Sequence, residues 1–177
     1  MNYQKILENY NYIDSDSIFH RISKANKEDY QENCNIINEI ILWKTNRVTV
    51  IDNNVIKQIY ELSTINDPTE AAESQLTLQV IVQLLDSKGV RLPMASTILH
   101  FYHPKIYPII DQRAYRELYQ KEFPKYVSDN MKLAHIYMRY IKDCYQFQQE
   151  KCQDIPFEHI DKVLYQIDKE KGNKVKY

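Results

Sequence analysis

Apolar residues recur every three or four positions along most of the chain, the spacing of one face of an α-helix. Ile6, Leu7 and Tyr10 make a short first stripe, and Ile18, Phe19 and Ile22 a second, with Asp14 or Ser15 placed to cap it. Tyr30, Cys34, Ile36, Ile37, Ile40, Ile41 and Trp43 predict a long helix with a broad apolar face, and Val55, Ile56, Ile59, Tyr60 and Leu62 another. Asp67 before Pro68 is a start signal, because proline's fixed φ suits the first turn and aspartate accepts its free amides. Leu76, Val80, Val82, Leu84 and Leu85 follow as one buried helix. Further on, a helix is predicted over 113–122, a long one over 129–151, and a last one from Pro156 to Gly172, so that the C-terminal helices cover 129–171. Only the segment 47–51, RVTVI, alternates like a strand, and a single strand has nothing to pair with. The pattern predicts an all-α fold of about eight helices in a single domain spanning 1–177.

Composition narrows the class of protein. The chain has 15 Tyr against 5 Phe and 1 Trp, and tyrosine suits half-wet helix seams as well as surfaces that stack bases. The 23 basic and 24 acidic residues leave a net charge of −1, which argues against a protein basic all over and leaves room for a local patch. Cys34, Cys144 and Cys152 form no CxxC pair, as expected of a reducing compartment and not of a disulfide scaffold or a cysteine-ligated zinc site. The N-terminus lacks an apolar core of signal-peptide length, and no run approaches the roughly 18 apolar residues that span a bilayer. A cytoplasmic protein with no membrane contact is expected.

The stretch KGVRLPMASTIL carries the candidate chemistry. It holds Gly89, one of 2 glycines in the chain, directly after a predicted helix end near Ser87. Gly89 permits a positive φ and a chain reversal, Pro93 suits the first turn of a new helix, and Ala95 and Ser96 are small enough for tight packing. Backbone amides from Gly89 to Met94, through Val90, Arg91 and Leu92, would then point outward at the positive end of a helix dipole, with Lys88 beside them, which makes a phosphate cradle. An ordinary helix–turn–helix with a C-cap glycine has the same spacing and is the commoner arrangement. Asp111 follows after Ile109 and Ile110 and reads as an N-cap for the helix opening with Gln112, with Arg113 and Arg116 placed to pair with it.

Over residues 84–118 these features resemble the helix-hairpin-helix DNA glycosylase superfamily that includes endonuclease III and the 8-oxoguanine and alkylpurine glycosylases. That family's pattern is a hydrophobic-Gly-hydrophobic-Gly hairpin with a following alanine, then an aspartate opening the next helix. Gly89, Val90 and Ala95 fall on it, the hairpin element covers about 84–101, and Asp111 takes the place of the aspartate. The resemblance implies a partner, DNA, held by its phosphate backbone through the hairpin. It also implies that Asp111 assists cleavage of the N-glycosidic bond of a flipped base, a base-excision-repair chemistry that needs neither metal nor other cofactor. Arg91 replaces the family's second glycine. The lysine that bifunctional members use has no counterpart, since Pro93 and Val82 occupy its two known places, so a monofunctional enzyme without lyase activity is implied. A binding module without catalysis and a helical protein-interaction domain are the alternative readings.

Other residues carry weaker signals. Trp43 and Lys44, with Arg47, and Tyr107 are candidates to line a base pocket, although Trp43 and Tyr107 serve equally as core. His100 and His103 are spaced like metal ligands but have no third ligand in view. No P-loop, nucleophile elbow or HExxH motif occurs.

Overall fold

A computed structural model describes residues 16–44, 49–124 and 126–175. Among them lie nine α-helices and no strand, so the all-α expectation holds. The stripe at residues 6–10, the cap at 14–15 and Arg47 lie outside the described residues. Where the sequence reads as one domain, the chain divides into two compact units, Met1–Thr49 and Val50–Tyr177.

The first unit contains α1 (Asp16–Lys24) and α2 (Tyr30–Lys44). Ile18 and Ile36 are its buried apolar residues, and Arg21 of α1 bridges Glu32, at 2.7 Å, and Glu39 of α2. Asp29 starts α2 by accepting the Glu32 amide at 3.0 Å.

The second unit is built around α8 (Asn130–Lys151), whose 22 residues make a rod of about 33 Å. Against it pack α4 (Pro68–Glu73), α5 (Gln75–Asp86), α6 (Leu92–Tyr102), α7 (Gln112–Tyr119) and α9 (Ile160–Glu170), while α3 (Asn53–Glu61) lies on α5 and α6. The inner face of α8, through Leu133, Ala134, Tyr137, Tyr140, Ile141 and Cys144, is buried along its length. Leu84, Leu99, Ile110 and Leu164 close on it, none of them accessible to solvent. Burying aliphatic side chains of this size stabilises by about 1.5–3 kcal/mol each.

Most of these helices start as the sequence dictates. Asp52 caps α3, Asp67 with Pro68 caps α4, Asp111 caps α7 and Asp129 caps α8, each through its own carboxylate. The one helix expected from Pro68 to Leu85 is in fact two. Ser74 turns extended (ψ 125°) and its hydroxyl accepts the Thr77 amide, ending α4 and capping α5. Two helices of this unit lack a side-chain cap: α9, which continues a 3₁₀ turn (Phe157–His159), and α6, which follows the hairpin.

Candidate functional site

Two turns meet in the second unit, and the hairpin is the first. Gly89 adopts φ 82°, the left-handed region that its missing Cβ permits. Val90 and Leu92 are each 2% exposed and anchor the turn in the core, while Lys88, Arg91 and Met94 face solvent. The Val90 amide closes the turn onto the Ser87 carbonyl at 3.1 Å. Val90 is therefore corrected from a phosphate contact to an anchor, because both its amide and its side chain are already used. Among the described residues, the amides of Gly89, Arg91, Leu92 and Met94 have no protein partner. Arg91, standing where the family has its second glycine, is extended (φ −114°, ψ 169°), a conformation any residue adopts, so it carries no strain here. Neither Lys88 nor Arg91 forms an ion pair among the described residues.

The second turn, 103–110, delivers Asp111. Side chains from three helices hold almost every backbone group of its last four residues. His100 Nδ1 donates to the Tyr107 carbonyl at 2.9 Å, and the Tyr137 hydroxyl donates to the Pro108 carbonyl at 2.9 Å. The Tyr140 hydroxyl donates to the Ile109 carbonyl at 3.0 Å, and Asp161 Oδ2 accepts the Ile109 amide at 3.0 Å. Ser96 Oγ accepts the Ile110 amide at 3.1 Å. These groups are buried or, at Ile109, half-buried, so each buried bond left unmade would cost the desolvation of its partner, about 1–3 kcal/mol. His100 is thus a clamp, and His103, whose Nε2 donates to the Ile59 carbonyl, is another backbone anchor. Among the described residues no cluster of His, Cys, Asp or Glu is arranged to hold a metal ion.

Asp111 Oδ1 accepts the Ala114 amide at 2.8 Å, the N-cap bond expected of it. Asp111 also lines an open cavity of about 430 Å³ together with Ile109, Asp161, Lys162, Tyr165 and Gln166. Burial raises the Asp111 carboxyl above its ordinary pKa, and the charge of Asp161 adds to this against the pull of the Ala114 and Arg113 amides. The arginines that sequence alone offered as its partners turn elsewhere. Arg116 grips Asp168 of α9 through Nε at 2.8 Å and Nη2 at 2.7 Å, and Arg113 adds a bond at 3.1 Å. The Arg116 fork first, and Asn173 and Arg113 after it, hold the fully buried Asp168 carboxyl below its ordinary pKa. Asp111 is left half-buried, oriented by its helix and free of any arginine salt bridge among the described residues.

The two turns adjoin. Arg91, Leu92 and Pro93 of the hairpin share a small cavity of about 200 Å³ with Gln112, the residue after Asp111. Tyr107 is corrected from a base-pocket candidate to core: it has no exposed surface and its hydroxyl pairs with Thr77 Oγ1 at 2.9 Å. Trp43, half-buried, and Lys44, exposed, end α2 in the first unit. Sequence reasoning missed Tyr137, Tyr140 and Asp161; the only hint of the first two was the tyrosine excess. Comparison of the chain with protein-family models, curated proteins and solved structures finds no match.

Proposed function

We propose that the second unit binds DNA through the phosphate backbone and that Asp111 assists cleavage of an N-glycosidic bond without lyase chemistry. The observation that carries this reading is a half-buried aspartate lining an open cavity, at the end of a clamped turn, beside a hairpin whose amides have no partner among the described residues. Phosphate oxygens accept from amides at a helix N-terminus, where the dipole favours negative charge, and exposed Lys88 and Arg91 add positive charge. The Asp111 carboxylate would stabilise the oxocarbenium ion as the base departs, or orient the attacking water; its clamped backbone minimises reorganisation during that step. Asp161 spends both oxygens on backbone amides, of Ile109 and Lys162, and so positions the turn rather than reacting.

The test is Asp111→Asn, which keeps the capping oxygen. Base release from a panel of duplexes carrying damaged or modified bases is expected to fall by at least about 100-fold, with DNA affinity retained. Retained turnover in this variant overturns the catalytic role. DNA binding without turnover by the wild-type chain instead favours the binding-module reading, which the completed N-cap at Asp111 also accommodates.

A further inference from the structure

A third cavity, of about 450 Å³, lies between α7 and α8 and plays no part in the site described above. Its α7 wall is Tyr115 and Tyr119, one helical turn apart, with ring centroids 4.6 Å from each other and planes inclined by 50°. The wall is fixed from behind: Phe123 meets Tyr115 edge-on at 5.4 Å, and the Tyr119 hydroxyl donates to Asp143 at 2.7 Å. The α8 wall is Lys132, His135 and Arg139, whose spacing puts them on one helix face, and Lys121 stands at the rim. Lys121 and Arg139 form no ion pair among the described residues, and Lys132 has only the exposed Asp129 at 3.7 Å. Asp143 is committed to Tyr119.

Aromatic rings on one wall and the cations Lys132 and Arg139 on the other match a ligand that is a flat ring joined to an anion. A bare phosphate makes no use of the two rings, and an acidic peptide supplies charge without a face to stack. The chain also offers a route here from the hairpin, because Val127 borders both this cavity and the one shared by Arg91, Leu92, Gln112 and Phe123. We infer that this cavity is a nucleotide site, which takes one unstacked nucleotide of a nucleic-acid strand. The base stacks on one ring of the Tyr115–Tyr119 pair and the phosphate meets Lys132 and Arg139. The inference rests on the DNA-binding reading for the source of the nucleotide but not for the chemistry of the cavity.

The test uses the full chain, a fluorescein-labelled single-stranded oligodeoxythymidylate, and free thymidine monophosphate. Lys132→Ala with Arg139→Ala is compared with Lys88→Ala with Arg91→Ala; all four side chains are exposed, and thermal melting verifies the fold. The first pair is expected to weaken oligonucleotide binding about tenfold at low salt. It should also make the slope of log affinity against log salt shallower by about 0.7 for each phosphate that is no longer neutralised. Thymidine monophosphate is expected to shift the amide resonances of α8 around residues 132–139 in the wild-type chain and in the Lys88/Arg91 variant, and not in the Lys132/Arg139 variant. Unchanged oligonucleotide affinity and slope in the first pair, with weaker binding in the second, overturns the cavity inference and leaves the hairpin reading standing. The reverse pattern overturns the hairpin reading and supports the cavity. Binding of the mononucleotide at α8 without any oligonucleotide binding supports the cavity as a site for a free nucleotide and overturns the DNA reading. Binding of neither ligand overturns both.

Discussion

Helices α6 and α7 both start from tight turns and both pack on α8, and they deal with their starts by different means. At α7 a side chain caps the start and others hold the turn before it. Asp111 accepts the Ala114 amide, and His100, Ser96, Tyr137, Tyr140 and Asp161 hold the preceding backbone. At α6 no side chain caps the start, and among the described residues Gly89, Arg91, Leu92 and Met94 leave their amides without a protein partner, while buried Val90 and Leu92 anchor the turn. A closed turn gives a functional side chain a fixed position; an open one offers the backbone itself as the binding group. In the proposed function these are the two halves of one task, holding a strand and presenting a carboxylate to it.

Changes to the closed side should therefore cost stability first. The largest effect is expected at Asp168, whose carboxylate holds Arg113 and Arg116 and so ties α9 to α7. Asp168→Ala removes the main carboxylate partner of two largely buried guanidinium groups, leaving Arg116 the exposed Glu122 at 3.5 Å, and should lower unfolding free energy by about 3 kcal/mol in urea titrations at neutral pH. Because folding lowers the pKa of Asp168, its contribution is present above the ordinary carboxylate value and is lost as pH falls through the lowered one. Asp111 has the opposite sign. Its raised pKa means that its share of stability is greatest below the ordinary value and is lost as pH rises through the raised one. Asp111→Asn should remove that second slope from a pH–stability profile and leave the first.

Next in size is Tyr137→Phe, which leaves the buried Pro108 carbonyl without its donor and should cost about 1–3 kcal/mol. If the clamp positions Asp111, this variant also loses turnover while DNA affinity holds; equal losses in both would merge the two halves that the comparison separates. On the open side, Gly89→Ala forces a side chain into φ 82° and should cost about 1–2 kcal/mol, with a drop in DNA affinity larger than the stability change explains. Smallest is Lys88→Ala with Arg91→Ala, expected to change stability by less than about 0.5 kcal/mol while flattening the salt dependence of DNA binding.

The helices were readable in the sequence because their apolar stripes and aspartate caps are local signals. Asp67–Pro68 and Asp111 stand where propensity alone would put them. The break at Ser74 was hidden by the unbroken apolar spacing on either side of it, although a serine three residues before Thr77 is itself a cap signal. Gly89 announced its turn because only glycine reaches that φ without penalty. The clamp was illegible for a different reason. Tyr137 and Tyr140 lie 29 and 31 residues from the carbonyls they hold, and Asp161 lies 52 from its amide. No period or motif encodes such pairings. The same distance hid Asp168, which drew off the two arginines that seemed, within their own helix, to belong to Asp111.

The most direct test is a titration of the ¹⁵N-labelled chain with a short DNA duplex at low salt, following backbone amides. The largest shifts are expected at Gly89, Arg91, Leu92 and Met94, with Val90 and Ala114, whose amides are already bonded, moving little. Binding that leaves those four amides unmoved, or no binding at all, would contradict a phosphate grip at the start of α6.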